Sequence, residues 1–110
     1  MVRFLLPLLL ILACEYNYDV EVRVTGTAGT RFAGTILTTK RGVQSVNDTV
    51  PAEWRVPVAN VGDTLIVQLQ KDSTAGFLEV WVWVSGGCEA HGRVAAPGGV
   101  VRVVWFPGPS

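Results

Sequence analysis

Histidine and methionine each occur once in this chain of 110 residues, and cysteine occurs twice. His91 is the one imidazole a Ser–His–Asp set could use, and no such set stands out around it. No glycine-rich phosphate loop, CxxC pair or pair of catalytic carboxylates stands out. Cys14 and Cys88 permit one bridge at most, subject to geometry, so no disulfide framework is expected. An excess of charge is also missing: nine basic residues face nine acidic ones. The charges are scattered, and Lys40–Arg41 is the one adjacent basic pair. Nucleic-acid binding usually needs a clustered basic face, so it is not expected here. Beyond residue 14 no segment of helical length repeats apolar residues at i, i+3 and i+4.

The longest apolar run is Phe4–Leu12, interrupted by Pro7 and preceded by Arg3. It is too short for a membrane span, which needs about twenty residues. Its length suits the apolar region of a secretory signal. Ile11–Leu12–Ala13–Cys14 then resembles the bacterial lipobox: an aliphatic residue, a freer position, a small residue and cysteine. Residues 1–13 are therefore expected to be a lipoprotein signal peptide, with Cys14 lipidated and first in the mature chain. A plain signal peptide ending before a cysteine, an uncleaved anchor and a buried N-terminal strand are the alternatives. Each buried methylene of an acyl chain contributes roughly 0.8 kcal/mol, so two or three chains give lasting attachment.

Residues 14–110 read as one all-β domain. Tyr16, Tyr18, Val20, Val22 and Val24 alternate with Asn17, Asp19, Glu21, Arg23 and Thr25, the pattern of a strand with one wet face. Further strands are expected at Arg31–Thr39, Val43–Asp48, Trp54–Val58, Thr64–Lys71, Phe77–Ser85, Cys88–Val94 and Val100–Phe106. Val43–Asp48 is polar and Pro57 lacks a donor, so both strands belong at sheet edges. Lys40–Arg41–Gly42 and Gly86–Gly87 read as hairpin connections. Short strands at this spacing predict an antiparallel sandwich or small barrel, with an immunoglobulin-like β-sandwich of about seven to eight strands the first choice.

Phe77–Ser85 (FLEVWVWVS) is apolar on both faces. Leu78, Val80, Val82 and Val84 share one; Trp81 and Trp83 lie on the other, about 7 Å apart. Such a strand belongs inside a sheet with packing on both sides. The expectation is that Trp81 and Trp83 are core. A sandwich strand has only one core face, however, so one side must meet a loop, a subunit, a partner or a ligand. Trp81 and Trp83 are accordingly the candidate ligand or partner face, since an exposed aromatic pair can stack on sugar rings or accept an acyl chain.

Cys88–Glu89–Ala90–His91 is the one cluster that could carry chemistry. A nucleophilic cysteine needs a base within hydrogen-bond reach. In a regular strand Cys88 and Ala90 face one way, and Glu89 and His91 the other, so thiol and imidazole do not meet. The expectation is a small buried Cys88, a solvated Glu89/His91 pair, no catalytic residues, no metal site and no cofactor.

Tyr18–Gly29 (YDVEVRVTGTAG) resembles the opening of the soluble domain in the mycobacterial membrane protein small family, MmpS, and in related small bacterial lipoproteins. Val50–Val58, Gly62–Leu65 and Val80–Gly87 resemble its Pro/Trp segment, its G-D-x-L strand and its later hairpin. The likeness covers most of residues 14–110. MmpS proteins usually carry a transmembrane helix, an adjacent Pro–Trp and often a disulfide. Here a lipobox replaces the helix, and Ala52 and Glu53 separate Pro51 from Trp54. Cys88 has no obvious partner. The resemblance implies an envelope β-sandwich, membrane-anchored and facing the periplasm or cell exterior. It also implies an accessory role beside a lipid or siderophore exporter. Three functional readings follow: a non-enzymatic interaction domain, a sugar- or lipid-binding module using Trp81 and Trp83, and a small enzyme at Cys88–His91.

Overall fold

A computed structural model describes residues 16–72 and 75–108. The expected leader 1–13 and the lipidation site Cys14 lie outside the described residues. Eight strands run in chain order: β1 (Asn17–Gly26), β2 (Arg31–Thr38), β3 (Gly42–Thr49), β4 (Ala52–Ala59), β5 (Leu65–Lys71), β6 (Leu78–Val84), β7 (Gly87–Val94) and β8 (Val100–Trp105). None of the described residues is helical.

The strands form two antiparallel four-stranded sheets, ordered β4-β1-β6-β7 and β3-β2-β5-β8. This is the expected β-sandwich. An immunoglobulin domain pairs its first two strands, whereas here β1 and β2 lie in opposite sheets. The polar β3 and the proline-bearing β4 are edges, where an exposed or missing donor costs least.

Period-two patterning delivers one side chain in two to the core. Val20, Val22 and Val24 of β1, Leu65, Val67 and Leu69 of β5, and Leu78, Val80 and Val82 of β6 are fully buried. Tyr18, Trp54 and Trp105 pack at the margin of this cluster. Trp54 meets Phe32 edge-on at 6.0 Å between ring centroids. The edge strands β7 and β8 lie against one another across the layers. A Cβ on Gly92 would come within 2.8 Å of Val101 Cγ2 and 2.9 Å of Val103 Cγ2, so only a glycine leaves room there. The inward period of β5 also carries Lys71 into the interior, where its Nζ donates to the Ala75 carbonyl.

The β6–β7 hairpin corrects two expectations. Its two-residue loop is Ser85–Gly86, with Gly87 already opposite Val84. Ser85 and Gly86 have φ of 52° and 81°, the positive pair that a type I′ turn requires. Beyond the turn the register slips by one between Val82 and Trp83, so Trp83 faces Cys88 while Val82 faces Ala90. This β-bulge places Glu89 as the extra residue. Cys88 and His91 therefore share the outer face, contrary to the alternation expected of a regular strand.

Candidate functional site

The outer face of the β4-β1-β6-β7 sheet is built from alternate residues of four strands. β6 contributes Glu79, Trp81 and Trp83. β1 contributes Asp19, Glu21, Arg23 and Thr25. Cross-strand pairing sets them in rows: Arg55–Glu21–Trp83–Cys88 and Glu53–Arg23–Trp81–His91. The tryptophans occupy the middle of the sheet and charged groups flank them.

Trp81 and Trp83 are half-buried on this face, not core, which corrects the expectation. The reason lies in the aliphatic set: Leu78, Val80, Val82 and Val84 already fill the inner side of β6. Each ring is covered in part by a neighbour. The Arg23 guanidinium carbon stands 4.7 Å over Trp83, a cation–π arrangement. His91 stacks on Trp81 at 4.1 Å between centroids and 28° between planes. Trp81 Nε1 donates to Thr25 Oγ1 at 2.9 Å, which fixes the indole on the sheet. Arg23, Thr25, Trp81 and Trp83 line an open recess of about 250 Å³.

The charges beside the rings are tied together. Arg23 donates to Glu21 Oε1 at 2.7 Å, and its Nε lies 3.6 Å from Glu53 Oε2. The Arg23 hydrogen bond, and a second from Glu53, hold the Glu21 carboxyl below its ordinary range. Glu53 moves the opposite way, raised chiefly by its hydrogen bond with Glu21. The pair thus holds a proton on Glu53 more readily than on Glu21. Arg55 pairs with Asp19 at 2.8 Å on the exposed margin. On the other flank, Arg93 covers Phe77 at 4.2 Å.

Cys88 is exposed, which overturns the buried thiol expected from the sequence. The turn and the bulge bring it to the wet face. Its Sγ donates to the Ala90 carbonyl at 3.6 Å, while His91 Nε2 is engaged by Glu79 Oε2 at 3.2 Å. His91 therefore pairs with Glu79 across the strands and not with Glu89 along its own. Thiol and imidazole share a face without forming a nucleophile–base contact. Among the described residues no three His, Cys, Asp or Glu side chains are grouped as metal ligands.

Sequence reasoning identified Trp81 and Trp83 as a candidate face but missed the side chains that cover them. Alternation already put Arg23, Glu21 and Thr25 on one outer face. Their juxtaposition with the tryptophans needs β1 beside β6, a long-range pairing with no local signal. Compared with known proteins, the chain matches no family model and no curated protein sequence.

Proposed function

We propose that this chain is a small bacterial envelope lipoprotein, anchored through Cys14, whose β-sandwich is a non-enzymatic interaction domain. In this reading the domain faces the periplasm or cell exterior and assists a membrane transport complex. The lipobox-like Ile11–Cys14 supports the anchor. The resemblance to the MmpS domain supports the accessory role. One observation carries the interaction reading: an uncovered sheet face with two half-buried tryptophans at its middle and paired charges around them. Protein interfaces favour such a layout, an aromatic and arginine centre inside a polar rim.

Sugar binding by Trp81 and Trp83 is the weaker reading. A sugar stacks on an open ring face, and here one face of each ring carries Arg23 or His91. The proposed partner is a protein of the same membrane complex. A photoreactive benzoylphenylalanine in place of Trp83 should give a discrete adduct with an envelope membrane protein. The same residue in place of Gln68, on the outer face of the other sheet, should give none. No adduct at Trp83, or equal adducts at both positions, would contradict the reading. Cys14→Ala should abolish acylation and membrane retention.

A further inference from the structure

The sandwich has two ends, and its exposed apolar side chains are not shared evenly between them. Six large apolar side chains are exposed among the described residues: Tyr16, Val43, Val61, Val100, Val104 and Phe106. Five of the six lie at the end where β1 begins, and only Val100 lies elsewhere. Hydrogen bonds and ring contacts tie that end together. Tyr16 exchanges hydrogen bonds with Asn60, so Val61 in the following turn sits beside it. The Tyr16 ring meets Tyr18 at 5.3 Å, and Tyr18 meets Trp105 at 5.8 Å, with Phe106 next in the chain.

The second sheet adds a band at the same end. On its outer face Val43, Leu37, Ile66 and Val104 stand in one cross-strand row. The next row away from this end is Ser45, Thr35, Gln68 and Arg102, which is wholly polar. The apolar band therefore stops one row in. Lys40 and Arg41 form the hairpin tip beside it, and both are exposed.

The geometry points to a membrane seat: this end of the sandwich rests in the headgroup region of the bilayer that holds Cys14. The inference rests on the anchor proposed above. Cys14 precedes Tyr16 by two residues, a stretch that spans at most about 7 Å even when fully extended. An acylated Cys14 would thus hold this end, and no other, at the lipid surface. The chemistry of the end fits that place. Tyrosine and tryptophan with one polar and one apolar side favour the membrane–water boundary. Lys40 and Arg41 complement anionic headgroups. A seat at this end also fixes orientation, so that the Trp81–Trp83 sheet stands upright on the membrane, open to a partner alongside.

The test uses the acylated chain purified from membranes, with Cys88→Ala and an environment-sensitive nitrobenzoxadiazole probe on either Val61→Cys or Ala96→Cys. Ala96 lies in the β7–β8 turn at the opposite end. The protein is reconstituted in vesicles of phosphatidylethanolamine with a minority of phosphatidylglycerol, with and without a lipid carrying a quencher near its headgroup. The probe at Val61 should be quenched several-fold more than the probe at Ala96. The double variant Lys40→Glu, Arg41→Glu should lose part of that quenching. Equal quenching at both ends of an acylated, membrane-retained protein would overturn the seat and leave the anchor standing. A chain without acyl groups on Cys14 would overturn both. Shielding of Val61 that disappears when the protein is diluted in lipid would assign this end to a second copy, and would also overturn the seat.

Discussion

Asp63 shows how much one residue decides. Its side chain is only 3% exposed, yet it stays ionised below the ordinary range. Burial pushes its carboxyl up, but hydrogen bonds from the Ala59 and Lys40 amides, the Thr39 hydroxyl and the Thr64 amide together outweigh that. These donors come from β4, from the β2–β3 connection and from the residue before β5, so one carboxylate joins the two sheets at the Tyr16 end. Asp63→Asn replaces an acceptor oxygen with an NH₂ group aimed at donors. It should cost about 2 kcal/mol by urea denaturation followed through tryptophan fluorescence, as expected for buried donors left unmatched. The sign of the pH dependence follows from the lowered carboxyl. Its stabilisation is complete above the unfolded value and disappears as pH falls through the folded one. The gap between Asp63→Asn and the natural protein should therefore narrow in acid, below about pH 4.

At the scale of the element, the β6–β7 hairpin is the sharpest case. In the sequence Gly86–Gly87 reads as the loop, because two glycines are the familiar signal. The positive φ values fall on Ser85 and Gly86 instead. Asn–Gly is the preferred pair for this turn, so Ser85→Asn should raise stability by about 0.5 kcal/mol. Gly86→Ala should cost about 1 kcal/mol, since its φ of 81° is left-handed and a methyl there meets nothing that could compensate. Gly87→Ala should be nearly neutral; thermal denaturation of the three variants checks the turn assignment. A type I′ loop at Gly86–Gly87 would instead make both glycine substitutions costly. The strands themselves were legible, because alternation is local: Val20, Val22 and Val24 announce a buried face within a few residues of chain. Trp81 and Trp83 were not, because hydrophobicity says which residues avoid water but not which of two apolar faces finds the core. Cys88 was misplaced for a related reason, while His91 is solvated as expected. A bulge moves every later side chain to the opposite face, and nothing in Cys88–Glu89–Ala90 marks one. Asp63 was legible as a turn residue only; Ala59 and Thr64 are its near neighbours in the chain, but Thr39 and Lys40 reach it from the distant β2–β3 connection.

At the scale of the whole molecule, surface chemistry is distributed unevenly over two four-stranded sheets. One sheet turns Trp81 and Trp83 outward under Arg23 and His91. The other is polar except for its Val43–Leu37–Ile66–Val104 row and, further along, Ala33 and Val100. That row and the Tyr16–Tyr18–Trp105 cluster share the end where β1 begins. Balanced net charge gives no general attraction to anionic surfaces, so in the proposed reading position comes from the anchor and from local groups. The proposed lipoprotein reading makes these features parts of one arrangement: an anchor, a lipid-facing end and a partner-facing sheet. Its central claim is the modification of Cys14, and mass spectrometry of the N-terminal peptide tests it directly. For protein taken from bacterial membranes and cleaved with trypsin, the expected product is a peptide Cys14–Arg23 that begins at Cys14 and carries acyl chains. A peptide with unmodified Cys14, or an N-terminus at any other residue, would contradict it.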